Sequence, residues 1–208
     1  MSPRGRKTLA FILMRITGGR ARGITILLPK RGELRPSTDA MRAALFSSLG
    51  PLVVNARMLD LFAGTGAYGL EALSRGAVHV TWVDQNQASA SIIKINLAAV
   101  AKSMGESKPD SLGRAIDADA LTWQPQPGVY FDIILAAPPY PLLEQHAGKI
   151  LARAVTWLAQ AETSRLILEA PGAHESPPPS GAHMIKRIGS GARQPSALIF
   201  GLTHATAG

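Results

Sequence analysis

Asp60-Leu61-Phe62-Ala63-Gly64-Thr65-Gly66-Ala67-Tyr68-Gly69 is the stretch on which the fold turns. An apolar strand over 58–62 leads straight into three glycines spaced G-x-G-x-x-G, and a helix is predicted over 68–75. Strand, glycine turn and helix in that order make the first unit of a nucleoside-binding βαβ fold. The spacing alone is shared by nicotinamide and flavin proteins. Asp60 narrows it, because a carboxylate at the strand's carboxyl end would repel a pyrophosphate seated on the helix N-terminus. It suits instead a ligand that carries an ammonium group. Asp84, 20 positions beyond Gly64, ends the next strand, where an acid can grip ribose hydroxyls. S-Adenosylmethionine has an ammonium, a ribose and no phosphate, so this order of carboxylate and glycines favours it over NAD.

Outward from this unit the pattern keeps alternating. A strand over 78–83 is followed by a helix over 87–104 with Ile92, Ile93, Leu97 and Val100 at apolar spacing. A polar loop over 105–112 precedes strands at 114–116 and 131–136. A helix over 142–159 and a strand over 165–169 come next. Pro177-Pro178-Pro179 breaks the alternation, and segments 183–188 and 197–202 read as an antiparallel hairpin. The expected fold class is α/β: a doubly wound, mostly parallel sheet of seven strands with helices on both faces. Upstream, residues 14–29 predict two short strands around Gly18-Gly19. A loop over 30–36 follows, then a helix capped by Ser37, Thr38 or Asp39 with Met41, Leu45 and Leu49 on its apolar face.

Composition bounds the function. With 46% hydrophobic and 17% charged residues in 208, the chain carries enough apolar side chain to offset its ordering entropy, which excludes a disordered protein. The absence of cysteine excludes disulfides and thiolate zinc sites, and the five histidines show no ligand spacing, so no metal is expected. The apolar run 9–13 is too short for a signal peptide's core and runs into Arg15, and no stretch is long enough to span a membrane. A soluble, cytoplasmic protein, monomeric by default, is expected. The net charge of +8 lies wholly in residues 1–50, which hold 10 Lys/Arg against 2 Asp/Glu; the remainder holds 12 of each. A basic front on a neutral body predicts a polyanionic partner. A basic lobe, 14–50, and a cofactor-binding domain, 51–208, follow.

Two further motifs carry chemistry. Asp119, with Ala120, follows the third strand, where methyltransferases of this architecture contact the adenine amino group; helix capping is the other reading of an acid there. Phe62, Ala63 and Gln85 complete the candidate cofactor set beside Asp60, Gly64, Gly66 and Asp84. The fourth strand ends Ala137-Pro138-Pro139-Tyr140. This ending resembles the (Asp/Asn)-Pro-Pro-(Tyr/Phe) motif of methyltransferases acting on exocyclic amines, in which stiffened backbone and acid accept the amine hydrogens and the ring stacks on the base.

The likeness extends to whole blocks. Arg15-Ile16-Thr17-Gly18-Gly19 with Arg22-Gly23, then Leu34-Arg35-Pro36-Ser37-Thr38-Asp39 with Arg42 and Leu45-Phe46, resemble the front of the bacterial small-subunit ribosomal RNA guanine-N2 methyltransferases, the RsmD family. So does Leu59 to Gly66, continuing through Gly69-Leu70-Glu71-Ala72-Leu73-Ser74-Arg75-Gly76. The resemblance runs from Met14 to the last strand. It implies S-adenosylmethionine as cofactor and methyl transfer to the N2 of a guanine in ribosomal RNA, free or within an assembling particle. Arg15, Arg20, Arg22, Arg35 and Arg42 would then hold phosphates, and residues 1–13 would be an extension or start-site artefact. One position departs: where the family has Asp before Pro-Pro, this chain has Ala137. Asp132, at the start of the same strand, lies roughly 16 Å away at ~3.3 Å per residue and cannot substitute. Losing a charged hydrogen-bond partner costs about 1.5–3 kcal/mol, roughly ten- to a hundred-fold in rate. Two alternatives therefore stand beside a methyltransferase with lowered turnover. One is an RNA-binding homologue that keeps the cofactor pocket; the other, motivated by the glycine triplet and Asp84, is an NAD-dependent oxidoreductase.

Overall fold

The computed structural model describes residues 14–28, 38–189, 191 and 194–203. The extension 1–13 and the loop 30–36, with Arg35, lie outside them. In chain order the strands are β1 (Met14–Arg15), β2 (Thr25–Ile26), β3 (Arg57–Leu61), β4 (His79–Asp84), β5 (Gly113–Asp117), β6 (Ile133–Ala136), β7 (Arg165–Pro171), β8 (Ala182–Ile188) and β9 (Pro195–Leu202). The helices are α1 (Asp39–Leu49), α2 (Ala67–Ser74), α3 (Gln87–Met104), α4 (Pro109–Leu112) and α5 (Tyr140–Ala154). The main sheet has seven strands in the order β5-β4-β3-β6-β7-β9-β8. Its first five strands pair in parallel, and β9 runs antiparallel to both β7 and β8.

Strand periodicity builds two cores. Met58, Val80, Trp82, Ile133, Leu135, Ile167 and Ile199 face α1, α2 and α3, while their neighbours Leu59, Val83, Ile134, Leu166, Leu168 and Phe200 face α5. Side chains alternate across a strand, so Asp60 shares the first face with Met58, and Glu169 shares it with Ile167. The chain leaves β3 towards β4 and β5 and then returns to β6 on the other side. The carboxyl ends of β3 and β6 therefore flank the switch point, where doubly wound sheets bind ligands.

The front of the chain docks on the end of α2. Glu71 is fully buried and accepts from the Thr17 N–H at 2.8 Å, the Thr17 hydroxyl at 2.7 Å and Arg75 Nε at 2.7 Å. The Ser74 hydroxyl donates to the Gly18 carbonyl at 2.6 Å and accepts from the Ala21 N–H at 2.9 Å. Gly19, at φ +78°, sits so close that a Cβ there would lie 1.9 Å from the Ser74 carbonyl oxygen. Met14, Ile16, Ala21 and Ile26 thus share one apolar cluster with Leu70 and Leu73.

The structure shifts some boundaries. Helix α5 starts at Tyr140, two residues early, with Pro139 at its N-cap position and Pro141 in its first turn, where a missing N–H costs nothing. It gives way to a 3-10 turn at Val155–Trp157 rather than running to residue 159. The polar loop after α3 contains the short α4. Thr38 is the residue that caps α1, accepting from the Met41 N–H at 3.1 Å.

Candidate functional site

The turn after β3 is built by backbone conformation. Phe62 adopts φ 59°, unusual for a residue with a side chain, and Gly64 (φ 53°) and Gly66 (φ 76°) continue in the left-handed region. The Ala63 N–H donates to the Val83 carbonyl at 3.2 Å, and the Gly66 N–H to the Ala63 carbonyl at 2.8 Å. Two of the three motif glycines stand against the Trp82 ring of β4. A Cβ on Gly66 would lie 2.8 Å from Ile93 and 3.1 Å from the Trp82 indole nitrogen, and one on Gly69 2.3 Å from that nitrogen. The buried Trp82 ring occupies the space these side chains would need, and its N–H donates to the Gly66 carbonyl at 3.2 Å. Gly66 and Gly69 therefore serve helix–sheet packing.

Asp60 is 1% exposed. One carboxylate oxygen accepts from the Gly69 N–H at 3.1 Å; the other, Oδ1, is buried with no hydrogen-bond partner among the described residues. Burial pushes its carboxyl well above the usual carboxylate range, the Gly69 N–H pulls it back, and the negative charges of Asp84 and Glu169 push it further up. A buried acceptor of this kind calls for a cationic donor. The ammonium expected from the sequence is such a donor.

Asp84 has a structural task in the turn. Its two oxygens accept from the Gly64 and Asn86 N–H groups, each at 2.8 Å, and so lock the glycine turn to the end of β4. Gln85 is exposed beside it. Asp119 caps no helix; it accepts from the Leu121 N–H at 2.8 Å within the turn that follows β5. Ala120 is buried against the α5-side core, and Trp123 packs edge-on to Trp157 at 5.9 Å. From β6, the Ala137 N–H donates to the Leu61 carbonyl at 3.2 Å; Pro138 is buried, Pro139 exposed and Tyr140 partly exposed at the start of α5. The candidate cofactor and amine-binding positions thus gather along the carboxyl ends of β3, β4, β5 and β6. Asp132 lies at the opposite end of β6, accepting from the Arg57 N–H at 2.8 Å.

The basic residues separate. Arg15 and Arg22 are exposed. Arg20 pairs with Glu106 at 3.2 Å and donates to the Met104 carbonyl. Arg42, expected to hold phosphate, is instead 0% exposed: its guanidinium donates to the Arg15 carbonyl and to Asp39, both at 2.6 Å. It ties β1 to α1, and a side chain without exposed surface cannot meet a backbone phosphate.

Two site-end residues escaped the sequence reading. Glu169, at the carboxyl end of β7, accepts from the Tyr68 hydroxyl at 2.5 Å. Burial pushes its carboxyl up while that hydroxyl and Arg42 pull it down. An acid closing an apolar strand was the available signal. Asn96 on α3 joins the Leu27 backbone, at 2.8 and 3.2 Å, to the Thr65 carbonyl at 3.3 Å, and no local pattern announces it.

A doubly wound sheet ending in an antiparallel hairpin, with an acid rather than a phosphate cradle at its switch point, is the class I methyltransferase architecture. The chain belongs to the family described as Conserved hypothetical protein 95, whose model matches residues 14–196, and the family resemblance read from the sequence is borne out. It is 37% identical over 127 residues to ribosomal RNA small subunit methyltransferase D of Escherichia coli strain K12, a stretch covering 61% of this chain and 60% of that protein. The matched stretch thus spans less than two thirds of that relative's length. The solved structure of yhhF from Escherichia coli superposes with a TM-score of 0.75 at 28% identity, covering 93% of this chain and 99% of that one. SMU.776, solved in complex with SAH, shares the fold alone, with a TM-score of 0.59 at 12% identity over 76% of this chain and 49% of that one. Among the described residues no helix is long and apolar enough to cross a membrane.

Proposed function

We propose that the protein is an S-adenosylmethionine-dependent methyltransferase acting on the exocyclic N2 of a guanine in small-subunit ribosomal RNA, in the cytoplasm and as a monomer. The single observation that carries this reading is the buried, half-unpartnered Asp60 at the switch point of the sheet. When bound, the cofactor supplies an electrophilic methyl group on a sulfonium. Asp60 holds the ammonium of its methionine moiety, Asp84 its ribose and Asp119 its adenine, while Phe62, Ala63, Gly64, Gly66, Gln85 and Ala120 frame it. Pro138, Pro139 and Tyr140 hold the flipped base with its amine aligned, since such a transfer needs the reacting atoms about 3–3.5 Å apart. Arg15, Arg20 and Arg22 meet RNA phosphates and position it without reading sequence.

The pyrophosphate of NAD would face the Asp60 charge, which disfavours the oxidoreductase alternative. A second reading, a binding homologue without turnover, has one observation in its favour, the methyl side chain at Ala137. Two measurements decide. Isothermal titration is expected to show S-adenosylhomocysteine binding and no NADH binding, and absence of the former rejects the proposal. Nucleoside mass spectrometry of undermethylated small ribosomal subunits treated with protein and cofactor is expected to show N2-methylguanosine; binding without that product supports the second reading.

A further inference from the structure

Position 137 has a neighbour that bears a carboxylate. Strands β6 and β7 run parallel in the register Leu135↔Ile167 and Ala136↔Leu168, so the next step sets Ala137 abreast of Glu169. Ala137 packs against the core on the α1–α3 side, and Glu169 belongs to that same face by alternation with Ile167. Adjacent strands lie about 4.8 Å apart, and glutamate carries its carboxylate one methylene further from the backbone than aspartate does. The two side chains therefore address overlapping space above the carboxyl end of β6. The Tyr68 hydroxyl holds one Glu169 oxygen from α2 at 2.5 Å, which fixes the rotamer. Glu169 also lies near enough to Asp60 for the two charges to interact, so it borders the candidate methionine end of the pocket.

We propose that Glu169 supplies, from the neighbouring strand, the carboxylate that this chain lacks at position 137, and that it accepts a hydrogen bond from the target's exocyclic amine. The inference rests on the methyltransferase reading above. As the nitrogen lone pair bonds to the methyl carbon, the carbon–sulfur bond breaks and its electrons neutralise the sulfonium. The nitrogen then carries one proton too many, and Glu169 takes it, becoming a carboxylic acid that returns the proton to water. Tyr68 is a positioning residue for this acid.

The test uses the full chain, undermethylated small ribosomal subunits and S-adenosylhomocysteine. Glu169→Gln is expected to lower kcat for methyl transfer at least about tenfold while S-adenosylhomocysteine affinity stays within about twofold and the thermal midpoint does not fall. Adding Ala137→Asp to Glu169→Gln is expected to restore most of the lost rate, which a purely structural role would not allow. Unchanged turnover in Glu169→Gln, no rescue by Ala137→Asp, or no turnover by the wild type in the presence of cofactor binding overturns the inference. Loss of S-adenosylhomocysteine affinity in Glu169→Gln also overturns it, by making Glu169 a cofactor ligand. Failure of the wild type to bind S-adenosylhomocysteine at all is a different result, which removes the methyltransferase reading itself.

Discussion

Asp60 concentrates the conflict between stability and binding in one side chain. Its carboxyl, like that of Glu169, keeps its proton to higher pH in the folded protein than in the unfolded chain, chiefly through burial. Folded protein therefore binds more protons than unfolded chain at pH values above the ordinary carboxylate range of about 3.9–4.3. In that window the stability of the ligand-free protein falls as pH rises, until the folded-state groups also ionise. Asp60→Asn is expected to flatten this slope in urea melts taken across pH. The same variant is expected to weaken S-adenosylhomocysteine binding by about 1.5–3 kcal/mol, read by calorimetry, because a charge-assisted hydrogen bond is lost. Wild-type affinity is expected to decline as pH drops into the window, since the protonated acid no longer attracts a cation. A slope and an affinity both insensitive to Asp60→Asn would contradict the assignment of its free oxygen.

At the scale of elements, the sequence blocks that looked like separate motifs turn out to be mated surfaces. Thr17-Gly18-Gly19 and Glu71 to Ser74 meet across separations of 54 to 56 positions, closing on each other through Glu71, Ser74 and the Gly19 close approach. Glu71→Ala removes the acceptor of a part-buried Thr17 N–H and of Arg75 Nε, and is expected to cost about 1–3 kcal/mol in chemical denaturation. Gly69→Ala drives a methyl group into the Trp82 indole and is expected to destabilise by about 1–3 kcal/mol through overpacking. A cofactor affinity lost without loss of stability would instead place Gly69 in the binding site. The element order was legible because the strands alternate apolar faces and the turns carry glycine and proline. Boundaries moved at helix ends, as at Pro139.

For the whole molecule, the charge asymmetry of the sequence resolves into two populations. Arg15 and Arg22 point to solvent, whereas Arg42 is consumed in joining β1 to α1. Single substitutions of Arg15 or Arg22 by alanine are expected to lower the slope of log K for RNA against log salt by up to about 0.7 each, as for one phosphate contact on a single strand. Arg42→Ala is expected to lower the thermal midpoint and leave that slope alone in the fraction that folds. Fluorescence anisotropy with a labelled small-subunit RNA fragment at several salt concentrations separates these outcomes.

By itself the sequence determined the alternating α/β order, the glycine turn after an acidic strand end and the basic front, because each is a property of local spacing or composition; the departure at Ala137 showed only against the family it resembles. Only the tertiary structure decided which glycines face tryptophan, which arginine is buried, that Asp84 locks the turn, and that Glu169 stands abreast of Ala137. Those facts depend on strand register and on which surfaces meet. Pairings between residues dozens of positions apart leave no periodic trace along the chain.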